Sequence, residues 1–299
     1  MRMSSRAQRG ICFFFFLYLL NFLYFLYLPC ASASPGRAEC NSVPSKILAR
    51  PVPYCVLLPA SFDADKSRRF PILYFLHGLG DNEQSLLRTG AWNLVEDLRE
   101  KGRLKDFLIA TPAGAASFYI NSRDGKVRYE DFLLKEFFPF IASHYRVLPG
   151  RANCAISGIS MGGYGALHLA FAHPKLFSSV SAHSPALIEK VPSGSGVAPA
   201  TGGSRVLGGV FGQPPDPAFW EWNSPLTLAR SASLSGLKIY FDCGSEDDFG
   251  FDAGAAALDK LLASRKIPHE FHLYPGRHDW SYFAAHLEAS LSFHSALFP

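Results

Sequence analysis

The chain has 299 residues, 48% of them hydrophobic and 18% charged, with a formal net charge of +4. That balance fills one sizeable apolar core and excludes a disordered or low-complexity chain, so a single α/β domain is the expectation. Much of the excess positive charge sits in the first few residues, so it does not mark nucleic-acid binding or an anionic partner surface.

Arg2, Arg6 and Arg9 precede an uncharged apolar run over residues 11–28, followed by Pro29 and the small-residue site Ala31-Ser32-Ala33. Basic, apolar and small segments in that order predict a secretory signal peptide over residues 1–33, with residues 34–299 as one domain. The alternative is an uncleaved anchor, because about 18 apolar residues reach the length of a membrane span. Asn21 and three tyrosines weaken that run. Cleavage removes three of the 29 Lys/Arg residues and leaves 26 against 25 acidic residues, a net charge of +1. It also leaves Cys40, Cys55, Cys154 and Cys243, an even number suited to an oxidising compartment. Three pairings exist; Cys40–Cys55 is preferred because the segment between them folds back as a hairpin. Cys154 and Cys243 lie in apolar runs and are expected as buried thiols. No cysteine or histidine spacing suggests a zinc site.

Strand-like runs follow at residues 53–59, 70–78, 105–112, 152–158, 176–185, 237–244 and 269–276. Helix-period segments lie between most of them, including residues 129–145, the run after Gly163, the run after Phe251 and the C-terminal stretch from Trp280. This alternation predicts a mainly parallel twisted sheet with helices on both faces. Residues 191–215, rich in Gly, Ser and Pro, read as a loop without regular structure, either solvated or bordering a substrate pocket.

The stretch Gly158-Ile159-Ser160-Met161-Gly162 ends one predicted strand and opens a helix. Strand, sharp turn and helix are the setting of a nucleophile elbow, in which the glycines relieve collisions and the helix N-terminus faces developing negative charge. Such a serine needs a base and a group to orient that base, in the order serine, acid, histidine on loops after strands. Glu246, Asp247 and Asp248 follow one strand and His278 follows the next. The other nine histidines fall on predicted helices, within strands or after a different strand, which leaves His278 as the base. Only one of the three acids faces His278, and one of them is expected to cap the following helix. The N–H groups of Met161 and of Leu79, in the sequence LHGLGD, are the oxyanion-hole candidates, with His77 as a structural residue.

With these residues in place the chain resembles the esterase family of α/β-hydrolases that includes esterase D (S-formylglutathione hydrolase), the feruloyl and acetylxylan esterases of carbohydrate esterase family 1, and the antigen 85 mycolyltransferases. The motifs PILYFLHGLGDN, GISMGGYGALHLA, FGQPPDPAFWEWNSPLTLA, IYFDCGSEDDF and PGRHDWSYF carry the resemblance. It implies Ser160 as nucleophile, His278 as base, Leu79 and Met161 as the oxyanion pair, and Asp247, two before Phe249, as the acid, with Asp248 the alternative. His77 and Gly162-Gly163 depart from the antigen 85 pattern, and the leader departs from cytosolic esterase D. The expectation is an exported serine carboxylesterase acting on a small-molecule or carbohydrate ester, with no metal or organic cofactor. The alternatives are an acyltransferase using a sugar hydroxyl, a serine peptidase and a non-catalytic binding module. Trp220, Trp222, Trp280 and Phe118 are candidates for an aromatic pocket, weighed against membership of the core.

Overall fold

The computed structural model describes residues 36–190 and 203–299. The expected signal segment and residues 191–202 of the Gly/Ser/Pro-rich stretch lie outside the described residues. The strands are β1 (Arg37–Ser45), β2 (Arg50–Leu58), β3 (Ile72–Leu76), β4 (Leu108–Pro112), β5 (Cys154–Ile159), β6 (Ser179–His183), β7 (Lys238–Gly244) and β8 (Glu270–Tyr274). The α-helices are α1 (Ala60–Ala64), α2 (Ser85–Arg88), α3 (Ala91–Glu100), α4 (Tyr129–Phe132), α5 (Phe138–His144), α6 (Met161–Ala172), α7 (Gly203–Phe211), α8 (Pro217–Asn223), α9 (Pro225–Ser231), α10 (Phe251–Ser264) and α11 (Trp280–Leu297).

The eight strands form one sheet in the order β1-β2-β4-β3-β5-β6-β7-β8. β1 and β2 pair antiparallel, as do β2 and β4, while β3 to β8 all run parallel. Side chains on a strand alternate between faces. Thus in β3 Ile72, Tyr74 and Leu76 join one core cluster and Leu73 and Phe75 the other. The first cluster includes α6 and residues of α5 and α10. The second includes α3 residues Val95 and Leu98 and α11 residues Phe283, Leu287 and Leu291. Both faces are covered, as parallel strands apolar on both sides require.

Two details depart from the regular pattern. The segment predicted as a helix over 129–145 is helical, but residues Leu133–Phe137 form a π turn between α4 and α5. Pro139 lies just beyond it, lacks an N–H and crowds the preceding turn, and the widened turn accommodates it. The expectation of an irregular 191–215 is corrected over Gly203–Phe211, which is helical. Leu207, Val210 and Phe211 are buried, and this tertiary burial outweighs the poor helix propensity of the glycines.

The disulfide joins Cys40 and Cys55, which sit directly opposite each other in the β1–β2 hairpin. Cys154 and Cys243 are free, and burial pushes both thiols up to about 12. The bridge closes a loop of sequence separation 15. A Cys40→Ser/Cys55→Ser double variant is therefore expected to lose about 3 kcal/mol of unfolding free energy, read from urea denaturation, with a small rise in m-value as the unfolded chain expands.

Candidate active site

Ser160 follows directly on Ile159, the last residue of β5, and precedes Met161, the first residue of α6. Its backbone has φ 56 and ψ −115, a left-handed conformation that a side-chain-bearing residue adopts only when its surroundings impose it. The surroundings are visible at the flanking glycines. A Cβ on Gly158 would meet the Gly162 carbonyl oxygen at 2.2 Å, and a Cβ on Gly162 would meet the Leu76 oxygen of β3 at 1.9 Å. The helix therefore comes closer to the sheet than any other residue type allows.

β7 and β8 end beside β5 and β6 at the same sheet edge, and their following loops carry the acid and the imidazole. His278 Nε2 lies 2.9 Å from Ser160 Oγ, and His278 Nδ1 lies 2.7 Å from Asp247 Oδ2. The Asp247 side chain is fully buried and the His278 side chain is 9% exposed, so the chain of hydrogen bonds opens to solvent only at its serine end. Burial raises the Asp247 carboxyl. The hydrogen bond and charge of His278, with the N–H groups of Phe249 and Phe251, outweigh that and hold it below the usual range. Asp247 is an anion at neutral pH, suited to fixing the Nδ1–H tautomer so that Nε2 faces the hydroxyl.

The three adjacent acids separate cleanly. Asp247 also accepts the Phe249 N–H at 3.0 Å and the Phe251 N–H at 3.4 Å at the entry to α10, but the N-cap position itself is Gly250, so the expectation that one of the three acids is the cap is corrected. Asp248 instead forms an exposed ion pair with Arg277 and accepts the His278 backbone N–H at 3.3 Å. Glu246 holds the loop through its backbone N–H, which donates to the Gly276 carbonyl at 3.0 Å.

The second donor loop lies alongside. A Cβ on Gly78 would stand 3.6 Å from the Ser160 Cβ, which puts residues 77–80 next to the elbow. Among the described residues neither the Leu79 nor the Met161 N–H has an acceptor. Met161, at the start of α6, adds the positive end of the helix dipole. His77 holds this loop: Nε2 accepts the Gly114 N–H at 2.8 Å, Nδ1–H donates to the Gly78 carbonyl at 2.8 Å, and burial pushes the imidazole pKa down. It is a neutral structural histidine.

Of the four aromatic-pocket candidates, Trp220 and Phe118 belong to the core around Phe211. Trp280 packs against Phe283, and Trp222 is 79% exposed. The rings that do surround His278 are Phe249, Phe251 and Phe283, with centroids 4.8, 5.4 and 5.3 Å away, each edge-on. Phe249 is half exposed and stands at the mouth of the site. Its place two residues after Asp247 was a usable signal; nothing in the sequence distinguishes Phe283 from any other apolar residue of α11. Among the described residues no group of three or more His, Cys, Asp or Glu side chains is arranged to hold a metal ion.

The strand order and the elbow together define an α/β-hydrolase. The family model described as "Putative esterase" matches residues 45–294, and the chain belongs to that esterase family. Esterase Rv1288 of Mycobacterium tuberculosis is 31% identical over 242 residues, 75% of this chain and 51% of that protein. The chain thus spans about half the length of the curated relatives it matches. A ferulic acid esterase of known structure is 25% identical with a TM-score of 0.76, covering 88% of this chain and 99% of that one. An S-formylglutathione hydrolase from Agrobacterium tumefaciens, 20% identical with a TM-score of 0.71 over 90% of this chain and 98% of that one, shares the fold.

The packing at the elbow gives a contrast between neighbours. Met161→Leu conserves volume at a buried position and is expected to cost less than about 1.5 kcal/mol. Gly162→Ala places a methyl against a backbone carbonyl that has no room to move and is expected to cost about 3 kcal/mol or more. Thermal and urea unfolding of the two purified variants measure the difference.

Proposed function

We propose that the protein is a serine carboxylic ester hydrolase acting through Ser160, His278 and Asp247. The observation that carries this is the continuous hydrogen-bonded chain from the buried Asp247 carboxylate through His278 to the hydroxyl of a serine held at a helix N-terminus. In the first step His278 takes the Ser160 proton as Oγ attacks the ester carbonyl, giving a tetrahedral oxyanion received by the Leu79 and Met161 N–H groups. Collapse breaks the bond to the leaving alcohol, which takes the proton from His278 and leaves an acyl-serine. Water, deprotonated by His278, then attacks that acyl group and regenerates Ser160 with release of the acid. Each oxyanion donor supplies on the order of 3 kcal/mol of transition-state stabilisation.

The substrate class we propose is an acetyl or feruloyl ester of a sugar. Its support is the esterase family, the 25% identical ferulic acid esterase, and a mouth bordered by the exposed ring of Phe249. Export is part of the same proposal, supported by the order of segments in residues 1–33 and by the Cys40–Cys55 disulfide, a bond that persists in oxidising compartments.

Ser160→Ala is expected to lower kcat for p-nitrophenyl acetate by about 10⁴-fold or more and to abolish fluorophosphonate labelling; retained hydrolysis sinks the assignment. Asp247→Asn is expected to lower kcat by on the order of 10³-fold or more, whereas Asp248→Asn, which loses only an exposed ion pair and a loop contact, stays within about tenfold of wild type. Product analysis with methyl ferulate, with and without added xylo-oligosaccharide, reads whether water or a sugar hydroxyl is the acceptor.

A further inference from the structure

The sheet face beneath α11 changes character along its width. Over β3 and the ends of β5 it is apolar, with Leu73, Phe75, Ala155 and Ile159. Toward β6 and β7 the buried residues on that face are Ser157, Ser179, Ser181, His183, Tyr240 and Asp242, and α11 meets them with Tyr282, Ser290 and His294. None of these takes part in the proposed ester chemistry.

Two networks share this strip. In one, His294 bridges Ser179 and Ser181, each at 2.8 Å, and Ser181 donates to Ser157 at 2.7 Å. Burial pushes His294 down to about 3, so that network is neutral. The other centres on Asp242, which stands directly opposite His183 in the β6–β7 register. Asp242 Oδ1 accepts the Tyr282 O–H at 2.8 Å, and Oδ2 accepts the His183 Nδ1–H at 2.8 Å. His183 Nε2 lies 2.7 Å from Ser290 Oγ, which itself donates to the Leu287 carbonyl at 3.0 Å.

Each member is rooted in an element that carries part of the site. The His183 carbonyl accepts the Ser160 N–H at 2.9 Å, and the Asp242 carbonyl accepts the Ser184 N–H at 2.8 Å. β7 runs on from Asp242 into the Asp247 loop. Tyr282 is the most direct link to the imidazole. Its N–H donates to Asp279, the residue after His278, at 3.0 Å, and its ring lies so close to Gly276 that a Cβ there would meet Cδ2 at 2.7 Å. Gly276 is in turn pressed on the acid's loop, since a Cβ on Gly244 would meet its carbonyl oxygen at 2.4 Å.

We infer that Asp242, with Tyr282 and His183, is the positioning hub of the site, setting the His278 loop against the Ser160 elbow from beneath the sheet edge. The inference rests on the roles proposed for Ser160 and His278. Asp242 is fully buried, so a shift of the His278 loop that carried Tyr282 away would break the Tyr282–Asp242 hydrogen bond where water cannot replace it. The penalty falls only on misplaced loops, which is how a buried polar pair confers geometry rather than bulk stability.

Tyr282→Phe removes one oxygen and keeps the ring. Its kcat for p-nitrophenyl acetate is expected to fall by about tenfold or more with KM within about twofold, and fluorophosphonate labelling of Ser160 to slow by the same factor, at temperatures well below unfolding. Val95→Ala, a cavity variant in α3 on the same sheet face, provides the comparison of equal or greater Tm loss and is expected to keep kcat within about twofold. The hub is overturned if Tyr282→Phe keeps kcat and labelling within about twofold of wild type, or loses no more than Val95→Ala at matched Tm loss. If Tyr282→Phe does not fold, Ser290→Ala, which loses the contact to His183 and the hydrogen bond to the Leu287 carbonyl, is judged by the same comparison. Ser160→Ala is assayed in parallel. Full activity there defeats the nucleophile assignment, whereas an inactive Ser160→Ala beside an undiminished Tyr282→Phe defeats the hub alone.

Discussion

At Gly162 the backbone of α6 lies against the Leu76 carbonyl of β3 with no space for a side chain, and the rest of the site is arranged around that approach. To bring a helix so near the sheet directly after β5, the chain must turn within a single residue. That residue, Ser160, takes a left-handed conformation and projects its hydroxyl above the strand ends. The same approach puts the unsatisfied N–H groups at the start of α6 beside the hydroxyl and sets the Gly78 loop next to the Ser160 Cβ. Position, dipole and donors are consequences of one close contact, and the strain it stores is carried by the buried strands and helix on either side.

A second constraint brings in the partners. β5 to β8 are parallel and consecutive in register, so every loop leaving their carboxyl ends emerges at one edge. That alone places an acid loop and a histidine loop in the same region but does not fix them to a hydrogen-bond length. The fixing comes from backbone contacts. The Ser245 N–H donates to the Tyr274 carbonyl, the Glu246 N–H donates to the Gly276 carbonyl, and Gly244 and Gly276 pack with no Cβ between them. With the loops locked together, Asp247 and His278 keep one distance, and the electrostatic gain of that pair offsets the burial of the carboxylate.

The parts of this arrangement that depend on local chemistry were legible in the sequence, and the parts that depend on tertiary packing were not. Strand runs bounded by turn residues gave the sheet, and Gly158, Gly162 and the order of Ser160, the acids and His278 gave the site's location. Which of Asp247 and Asp248 faces the imidazole was open from the residues themselves. Adjacent side chains diverge, and only the turn made by the two loops decides which one turns inward. The helix at Gly203–Phe211 was hidden because three glycines mask the apolar spacing of Leu207, Val210 and Phe211. The polar strip beneath α11 was invisible for a deeper reason. In SVSAH the small and polar residues alternate with Val180 and Ala182 as they would in a strand with one wet face, yet here both faces are dry.

That strip contains a serine, a histidine and an aspartate linked at 2.7 and 2.8 Å, nearly the distances of the Ser160 set at 2.9 and 2.7 Å. The resemblance separates what a triplet of side chains does from what a site does. Ser290 sits in the body of α11, where backbone N–H groups are committed to the helix and none is free to receive an oxyanion. His183 and Asp242 have no exposed surface, so no ester reaches them. Ser160 has the same chemical partners at a helix N-terminus, beside a loop whose Leu79 N–H has no acceptor among the described residues, with an imidazole at the edge of solvent. In the proposed mechanism reactivity follows from where the chain turns, and the inner triplet, denied access and donors, is left with the one task its hydrogen bonds can perform, which is to hold β6, β7 and α11 in a single relation.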